Sequence, residues 1–517
     1  MKTPILGSSY VARSVNAADS RMVNLFPEIV PEAGKEPAFL NRAPGLRLLA
    51  TIGSGPIRGL WAFSSDANRA FVVSGTELYS VDTSFNATLI GAISGTGPVS
   101  MADNGTQLFI ACNGPSYIYN NATNVFAQIT DPDFPGAVTV GYLDGYFVFN
   151  EPNSQRIWIT SLLDGTSVDP LDFASAEGSP DGVVSIIVDH REVWVYGTNS
   201  VEVWYDTGAA DFPLQRIQGA FNEIGCAATY SVAKLDNGLF WLGADARGRG
   251  IVYRANGYTG QRISTHAVEW QIQQYGNLSD AIGYTYQQDG HSFYVLVFPS
   301  ANTTWVYDVA TSAWHERAGW DATTGTFLRH RGNCQMSFAD EIVIGDYENG
   351  NVYAFDLDVY SDNGGVQKWL RSWRALPTGQ NNLKRTSHHT LQLDCETGVG
   401  LNVYDPPEIV ETVLGFLLAE DGSIIITESG IPLTVTSSAV LTTSPKVMLR
   451  WSDDGGHTWS NEHWTSIGRL GEYGHRAFWR RLGMTLKLRD RVYEISGTDP
   501  VKVTIMGAEL LISGTNA

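Results

Sequence analysis

Positive charge is scarce in this sequence: 34 Lys and Arg stand against 54 Asp and Glu, a formal net charge of −20 over 517 residues. A protein that grips nucleic acid through its phosphates needs the opposite balance, because counterion release requires a surplus of cations. Cysteine is rarer still. Cys112, Cys226, Cys334 and Cys395 lie far apart with no Cys-x-x-Cys pair, which argues against both a zinc site and a dense disulfide framework and fits synthesis in a reducing cytoplasm. Long apolar runs are also missing. Nowhere do about 18 apolar residues run together, and "MKTPILGSSYVARS" at the start has no continuous apolar core, so neither a secretory signal nor a bilayer span is expected. No Gly-x-Ser-x-Gly elbow, phosphate-binding Gly-x-x-x-x-Gly-Lys-Ser/Thr loop or His-Glu-x-x-His helix occurs.

What the chain does have is glycine and aromatic residues: 53 Gly, 22 Tyr, 21 Phe and 15 Trp, with 43% hydrophobic and only 17% charged residues. Aromatic side chains suit a pleated surface and glycine supplies tight turns, so an all-β fold is expected. The length calls for more than one domain or for one large repeat architecture. Seven segments share one grammar, a β-rich run, a turn and a second run usually carrying Tyr or Trp. They are "FVVSGTELYSVD" from 71, "LFIACNGPSYIYN" from 108, "YFVFNEPNSQRIWIT" from 146, "EVWVYGTNSVEVWYD" from 192, "LFWLGADARGRGIVYR" from 239, "FYVLVFPSANTTWVYD" from 293 and "EIVIGDYENGNVYAFD" from 341. A spacing of roughly 40 to 50 residues is the period of a four-stranded propeller blade. The regularity favours a six- or seven-bladed β-propeller over an array of sandwiches. Asn104-Gly105, Asp144-Gly145, Asn237-Gly238 and Asp289-Gly290 are the expected hairpin turns.

Two regions lie outside the repeat. Residues 1–50 are Pro-rich and aperiodic and read as an extended arm, suited to reaching a neighbour; the propeller is expected over 51–365. Residues 366–517 read as a separate C-terminal β-domain, sandwich-like, interrupted at 406–445 by an apolar segment nearly free of positive charge. That segment reads as a long inserted hairpin serving as an interaction element.

One local motif invites a chemical reading. "SDDGGHTW" at 452–459 resembles the Asp-box of sialidases and other carbohydrate-active propellers. Ser452, Asp454, Gly456, Thr458 and Trp459 have a complete local explanation as a folded turn: two acceptors for backbone N–H groups, a glycine for positive φ and a packing ring. A sialidase-like site would also need several arginines, a nucleophile and an acid. His388 and His389 are adjacent on a strand and face opposite ways, which makes a shared metal unfavourable. Asp131 and Asp133 have calcium-loop spacing but lack a third acidic ligand, and "DLDVYSDNGG" from 356 is weaker still. His315 beside Glu316 has the makings of an acid–base pair, yet next to Trp314 it reads as packed and hydrogen-bonded. The sequence offers no catalytic residue, no metal site and no cofactor site.

Three stretches carry a family resemblance: "DGHSFYVLVFPSANTTWVYDVATSAWHER" at 289–317, "NLFPEIVPE" with "APGL" at 24–46, and "LRWSDDGGHTWS" followed by "LGEYGHRAFWRRLG" at 449–483. Together they resemble the tail hub or nozzle proteins of short-tailed bacteriophages, also called packaged-DNA stabilisation proteins, and the similarity runs along nearly the whole chain. The resemblance implies a virion tail component, made and assembled in the host bacterial cytoplasm, rather than an enzyme. It implies a homohexameric ring below the portal and its adaptor, partnered by a tail needle or plug and by tail fibres or spikes. Such a ring retains packaged DNA and later forms part of its exit channel, with double-stranded DNA passing non-specifically and some contact with the host outer surface. Net acidity suits this, since it repels phosphates from a channel wall. The other readings are a receptor- or carbohydrate-binding propeller acting as a tail adhesin and, behind it, a sialidase-like glycoside hydrolase.

Overall fold

In the computed structural model the described residues are 1–377, 385–399, 410–416, 434–440, 444–485 and 491–514, apart from 16, 33, 177, 180, 210, 211, 246 and 247. Strands dominate, and their order in the sheets follows the chain closely. Blade 1 is Ile57–Ala62, Ala70–Ser74, Glu77–Val81 and Ala87–Ala92, each strand antiparallel to the next. Blade 2 begins at Ser100–Asp103, blade 3 at Val140–Leu143, blade 4 at Val183–Asp189, blade 5 at Gly225–Cys226 with Ala233–Leu235, blade 6 at Ile282–Gln288 and blade 7 at Gly332–Phe338.

The number of blades follows from the packing. Each blade meets the next through its own apolar cluster, for instance Phe71 and Val73 of blade 1 against Leu108 and Ile110 of blade 2. The seventh cluster joins Met336, Phe338 and Val343 of blade 7 to Ile57, Leu60 and Val72 of blade 1. The ring therefore closes at seven. The second strand of every blade lies between two neighbours and is buried on both faces, as in Ala70–Ser74 and Gln107–Ala111. Outer strands such as Val125–Gln128 are mostly exposed.

Turn chemistry repeats with the blades. In blades 3 to 7 the first and second strands are joined by two residues both at positive φ: Asp144 and Gly145, His190 and Arg191, Asp236 and Asn237, Asp289 and Gly290, Ala339 and Asp340. This is the type I′ geometry whose twist matches the flanking strands. In blade 5 the turn thus falls one residue earlier than the expected Asn237-Gly238, and Gly238 already opens the next strand.

The N-terminal segment departs from the expected free arm. Gly45–Thr51 pairs with Asn351–Asp356 as the fourth strand of blade 7, so a boundary at residue 50 cuts through a propeller strand. Further back, Leu25–Ile29 and Ala38–Arg42 pair with each other, and Ala38–Arg42 also pairs with Thr504–Gly514. They join Thr386–Cys395 and Ala477–Met484 in one five-stranded sheet. At the start of the chain, the amino group of Met1 donates to Leu510 O (2.8 Å) and Thr3 N to Ala508 O (2.9 Å). In the single chain, backbone groups of this segment and the apolar Ile5, Met22, Leu25 and Leu40 are taken up by its own sandwich domain.

The second sheet of the C-terminal domain is continuous with the propeller. Blade 6 ends at Ala313–Glu316; beside it lies Met22–Val23, then Trp369–Arg374, Val492–Gly497, Lys446–Ser452 and His463–Ser466, a run of nine strands counted from Ile282–Gln288. This sheet and the five-stranded one enclose Trp369, Trp373, Leu391, Trp479 and Tyr493, which makes the domain a β-sandwich. Of the inserted segment at 406–445, Val410–Phe416 and Thr434–Val440 pair antiparallel with each other; the remainder up to residue 443 lies outside the described residues.

Asn24 secures the junction. It sits at φ 52 with its side chain buried, its Nδ2 donating to Ala318 O (2.7 Å) and Lys368 O (2.8 Å), and its Oδ1 accepting from Ala318 N (2.9 Å). Next to it Arg21 makes a two-point contact with Glu316, at 2.9 and 2.7 Å. An Asn24→Ala substitution leaves buried amide groups unpaired and places a Cβ residue that tolerates αL poorly. The expected loss is about 2–4 kcal/mol in urea unfolding, with Asn24→Gly milder by about 1 kcal/mol. A change in Asn24→Ala smaller than about 0.5 kcal/mol would show that this junction contributes little to stability.

Candidate functional site

The first strands of all seven blades converge on the propeller axis and line a cavity of about 1000 Å³. Gly59, Ser100, Thr139, Ser185, Thr229, Gly283 and Asn333, one from each blade in order, are small or uncharged members of a wall that also carries aromatic and charged side chains. Strands of up to seven residues give a depth of roughly 20 Å, so the mean width is about 8 Å for the centre of a water molecule and roughly 11 Å between wall atoms. The major groove of B-DNA is by itself about 12 Å wide. A double helix therefore cannot thread the axis of a single propeller.

Charged residues of the wall are all committed to neighbours. Around one mouth, Arg191 donates to Asp144 (2.8 Å), Lys234 contacts Asp189 (2.6 Å), and His190 lies between Asp189 (2.8 Å) and Asn237 (2.7 Å). These contacts lace blades 3, 4 and 5 together at their type I′ turns. Burial works against ionisation of Asp189, but the hydrogen bonds from Lys234 and His190 outweigh it and hold the carboxyl below its usual range. Asp103 accepts from Trp61 Nε1 (2.7 Å) and Ser64 N (3.3 Å), tying blade 2 to blade 1. Arg58 donates to the carbonyls of Gly97 (2.5 Å), Gly75 (2.8 Å) and Ser94 (3.2 Å). Across the axis from it, the Tyr230 hydroxyl of blade 5 is pushed up to about 12, first by burial. The periodic hairpins made the cavity foreseeable; the lacing was not, because His190-Arg191 and Ala339-Asp340 lack the usual turn composition.

The Asp-box-like turn lies in the sandwich, beyond the propeller. Ser452 Oγ accepts from Gly456 N (2.7 Å) and donates to Asp454 Oδ1 (2.6 Å). Asp454 also accepts from His457 N (3.0 Å), Thr458 N (2.9 Å) and the Thr458 hydroxyl (2.6 Å), and these bonds, with that from Ser452 foremost, hold its carboxyl far below the usual range. The Arg450 guanidinium stands over the Trp459 ring at 4.8 Å. Asp453 accepts from Arg491 Nε (2.6 Å) and Nη2 (2.8 Å), while the Ser452 hydroxyl, the Asp454 carboxylate and the Thr458 hydroxyl are thus engaged in the turn itself. Its back rests on the arm: a Cβ at Gly456 would come within 2.6 Å of Asp19 Oδ2 and 2.8 Å of Val15 Cγ1.

The other candidates are dispersed. His388 is buried against Tyr493 Oη (2.7 Å) and Thr386 Oγ1 (3.1 Å), whereas His389 is exposed beside Ser513 Oγ (2.8 Å). Asp131 accepts from Asp133 N (2.9 Å) and Val168 N (3.1 Å), so the pair closes a turn and joins a second loop. In the stretch from 356, Asp356 pairs with Arg47 at 2.9 Å. Glu316 is held by Arg21, while His315 is fully buried against Phe26 and Phe293 on the opposite side of the strand.

Gly456→Ala tests the docking of turn to arm. With φ at 103 and two contacts below 3 Å, it should cost about 1–3 kcal/mol. Limited proteolysis should then cut faster around residues 13–19; unchanged stability and cleavage would separate the turn from the arm.

Comparison with known proteins follows the same division of the chain. The family described as bacteriophage P22 Gp10, beta-propeller, matches residues 1–360, and that described as bacteriophage P22 Gp10, beta-sandwich, matches residues 409–513. The tail hub protein gp10 of Salmonella phage P22 is 24% identical over 348 residues, covering 64% of this chain and 71% of that protein. Solved structures with similarity include virginiamycin B lyase from Staphylococcus aureus, with a TM-score of 0.41, 11% identity and coverage of 60% of this chain and 98% of that one. The N-terminal domain of Nup159 has a TM-score of 0.38, 11% identity and coverage of 63% and 97%. Likenesses this distant carry no argument about activity. The chain belongs to the bacteriophage P22 Gp10 family, structural tail hub proteins of the phage virion.

Proposed function

We propose that this hub protein works mechanically and not as an enzyme. Copies close into a ring, a homohexamer, below the portal and its adaptor; the ring retains packaged DNA and forms part of its exit passage. A tail needle or plug completes the seal, and fibres or spikes attach around it. Synthesis and assembly take place in the host bacterial cytoplasm. The observation that carries this reading is the nine-stranded sheet shared by propeller and sandwich, which makes the two domains one stiff body suited to withstanding internal pressure.

The narrow axial cavity directs the passage to the space between copies, where a net charge of −20 per chain would keep phosphates from adhering. In this assignment the arm is an internal tie, the ring of blades and the sandwich are the rigid body, and the segment 406–445 is the element left for contact with a tail partner or the host surface. The turn at Ser452–Trp459 serves structure, since its hydroxyl and carboxylate are spent within it. No specific observation favours a glycan-binding adhesin or a glycoside hydrolase.

Particles assembled without this chain should fill with DNA and then lose it. Packaged DNA can be followed by nuclease sensitivity and by the density of purified particles. Retention equal to that of complete particles would overturn the proposal.

A further inference from the structure

Between blades 6 and 7 lies a group of buried polar side chains that the mechanical role does not use. Tyr284 and Tyr286 come from the first strand of blade 6, His315 from its last strand, Arg317 from the residue beyond it, and His330 from the segment leading into blade 7. All are more than nine-tenths buried: His315 0% exposed, Arg317 2%, Tyr286 3%, His330 3% and Tyr284 6%. Aromatic rings surround them. Phe293 lies under the Arg317 guanidinium at 5.4 Å and meets His315 at 5.9 Å, and Phe355 meets His330 at 5.5 Å and Tyr286 at 4.7 Å.

Donors dominate this group, and acceptors for them are few. Among the described residues, Nε and Nη2 of Arg317, both ring nitrogens of His315, Nε2 of His330 and the hydroxyls of Tyr284 and Tyr286 are buried without a well-formed hydrogen bond, the Arg317 guanidinium having only the nearby Tyr286 hydroxyl to face. Buried polar atoms are normally satisfied, and a buried charge normally has a counter-charge. The neighbouring carboxyls are engaged elsewhere. Asp308 accepts from His291 (2.9 Å), Asp346 from Arg331 (3.1 Å) and Tyr353 (2.7 Å), and Glu316 from Arg21 (2.7 Å). Asp362 accepts from Gln367 (3.3 Å), and burial pushes its carboxyl up to about 6. Burial, followed by the charge of Arg317, holds His330 down at about 3 and His315 also well below its usual range, so both imidazoles are neutral.

We propose that this site binds one small monovalent inorganic anion of the chloride class, held by the Arg317 guanidinium and the tyrosine hydroxyls. A single fixed positive charge, several convergent O–H and N–H donors and an aromatic wall match a compact, weakly hydrated anion better than a phosphate, which would need more cationic charge than one arginine provides. The anion would strengthen the interface between blades 6 and 7. The inference rests on the site's own geometry and stands whether or not the protein retains DNA.

The test is thermal unfolding of the full chain at pH 7 and constant ionic strength, with chloride or bromide replacing gluconate. A bound anion raises Tm with the logarithm of halide concentration once the site is saturated. Arg317→Met should remove the halide dependence. If that variant does not fold, crystals grown in bromide supply the second measurement, with an anomalous peak expected within hydrogen-bonding distance of Arg317. Equal Tm in halide and gluconate, or ordered water in place of an anomalous peak, would overturn the proposal.

Discussion

Two residues, Met22 and Val23, form the strand on which the architecture depends. On one side Val23 pairs with Glu316 at the end of blade 6; on the other, Met22 and Val23 pair with Arg371 and Leu370 of the sandwich. Without that strand, two interior edges would face each other with unpaired N–H and C=O groups, and buried backbone polar groups do not tolerate this. The flanking side chains reinforce it: Arg21 grips Glu316, Asn24 bridges Ala318 and Lys368, and Arg371 donates to Ile5 O (2.7 Å). The link is short, but Met22 and Val23 are fully buried and the strand is paired along both edges, conditions under which such contacts are costly to break.

The same stretch of chain also closes the propeller. About twenty residues after the junction strand, Gly45–Thr51 completes blade 7, and Arg42 between them donates to the carbonyls of Tyr360, Gln367, Asp499 and Val501. Ring closure, domain fusion and the edge of the sandwich are therefore three tasks of one N-terminal segment. Moving any part of it strains the others. Stiffness in this protein comes from topology rather than from a larger core, because a closed ring of blades leaves only short outer edges and the shared sheet leaves no hinge at the domain boundary.

The repeat was legible because the second strand of each blade is buried on both faces and reads as a continuous apolar run, "FVVS", "LFIA" or "FYVLVF", at a regular spacing. Asp144-Gly145 and Asp289-Gly290 announced their turns for the same local reason, that both central residues take positive φ. The arm was not legible as an internal tie. It gives only two to seven residues at a time to different sheets, and its partners lie some 300 to 500 positions away, so no period marks it. Asn24 did stand in a stretch that carried the family resemblance, yet nothing local distinguished a keystone from a loop asparagine. In the Asp-box-like turn the bonds among Ser452, Asp454, Gly456 and Thr458 are local, whereas the contacts of Asp453 with Arg491 and of Gly456 with the arm come from distant positions that no local pattern marks. The buried group around Arg317 was hidden, since His315 and Arg317 look like ordinary polar residues after a tryptophan until the facing blade is seen.

Propeller and sandwich form one rigid body, and the DNA passage proposed above lies outside the propeller axis. An electron-microscopic reconstruction of intact tails with packaged DNA tests this most directly. Propeller and sandwich should then keep a single fixed relation in every copy, with DNA density running between copies and none along a propeller axis. Density for the duplex inside a propeller, or domains that take different relative orientations from copy to copy, would contradict this.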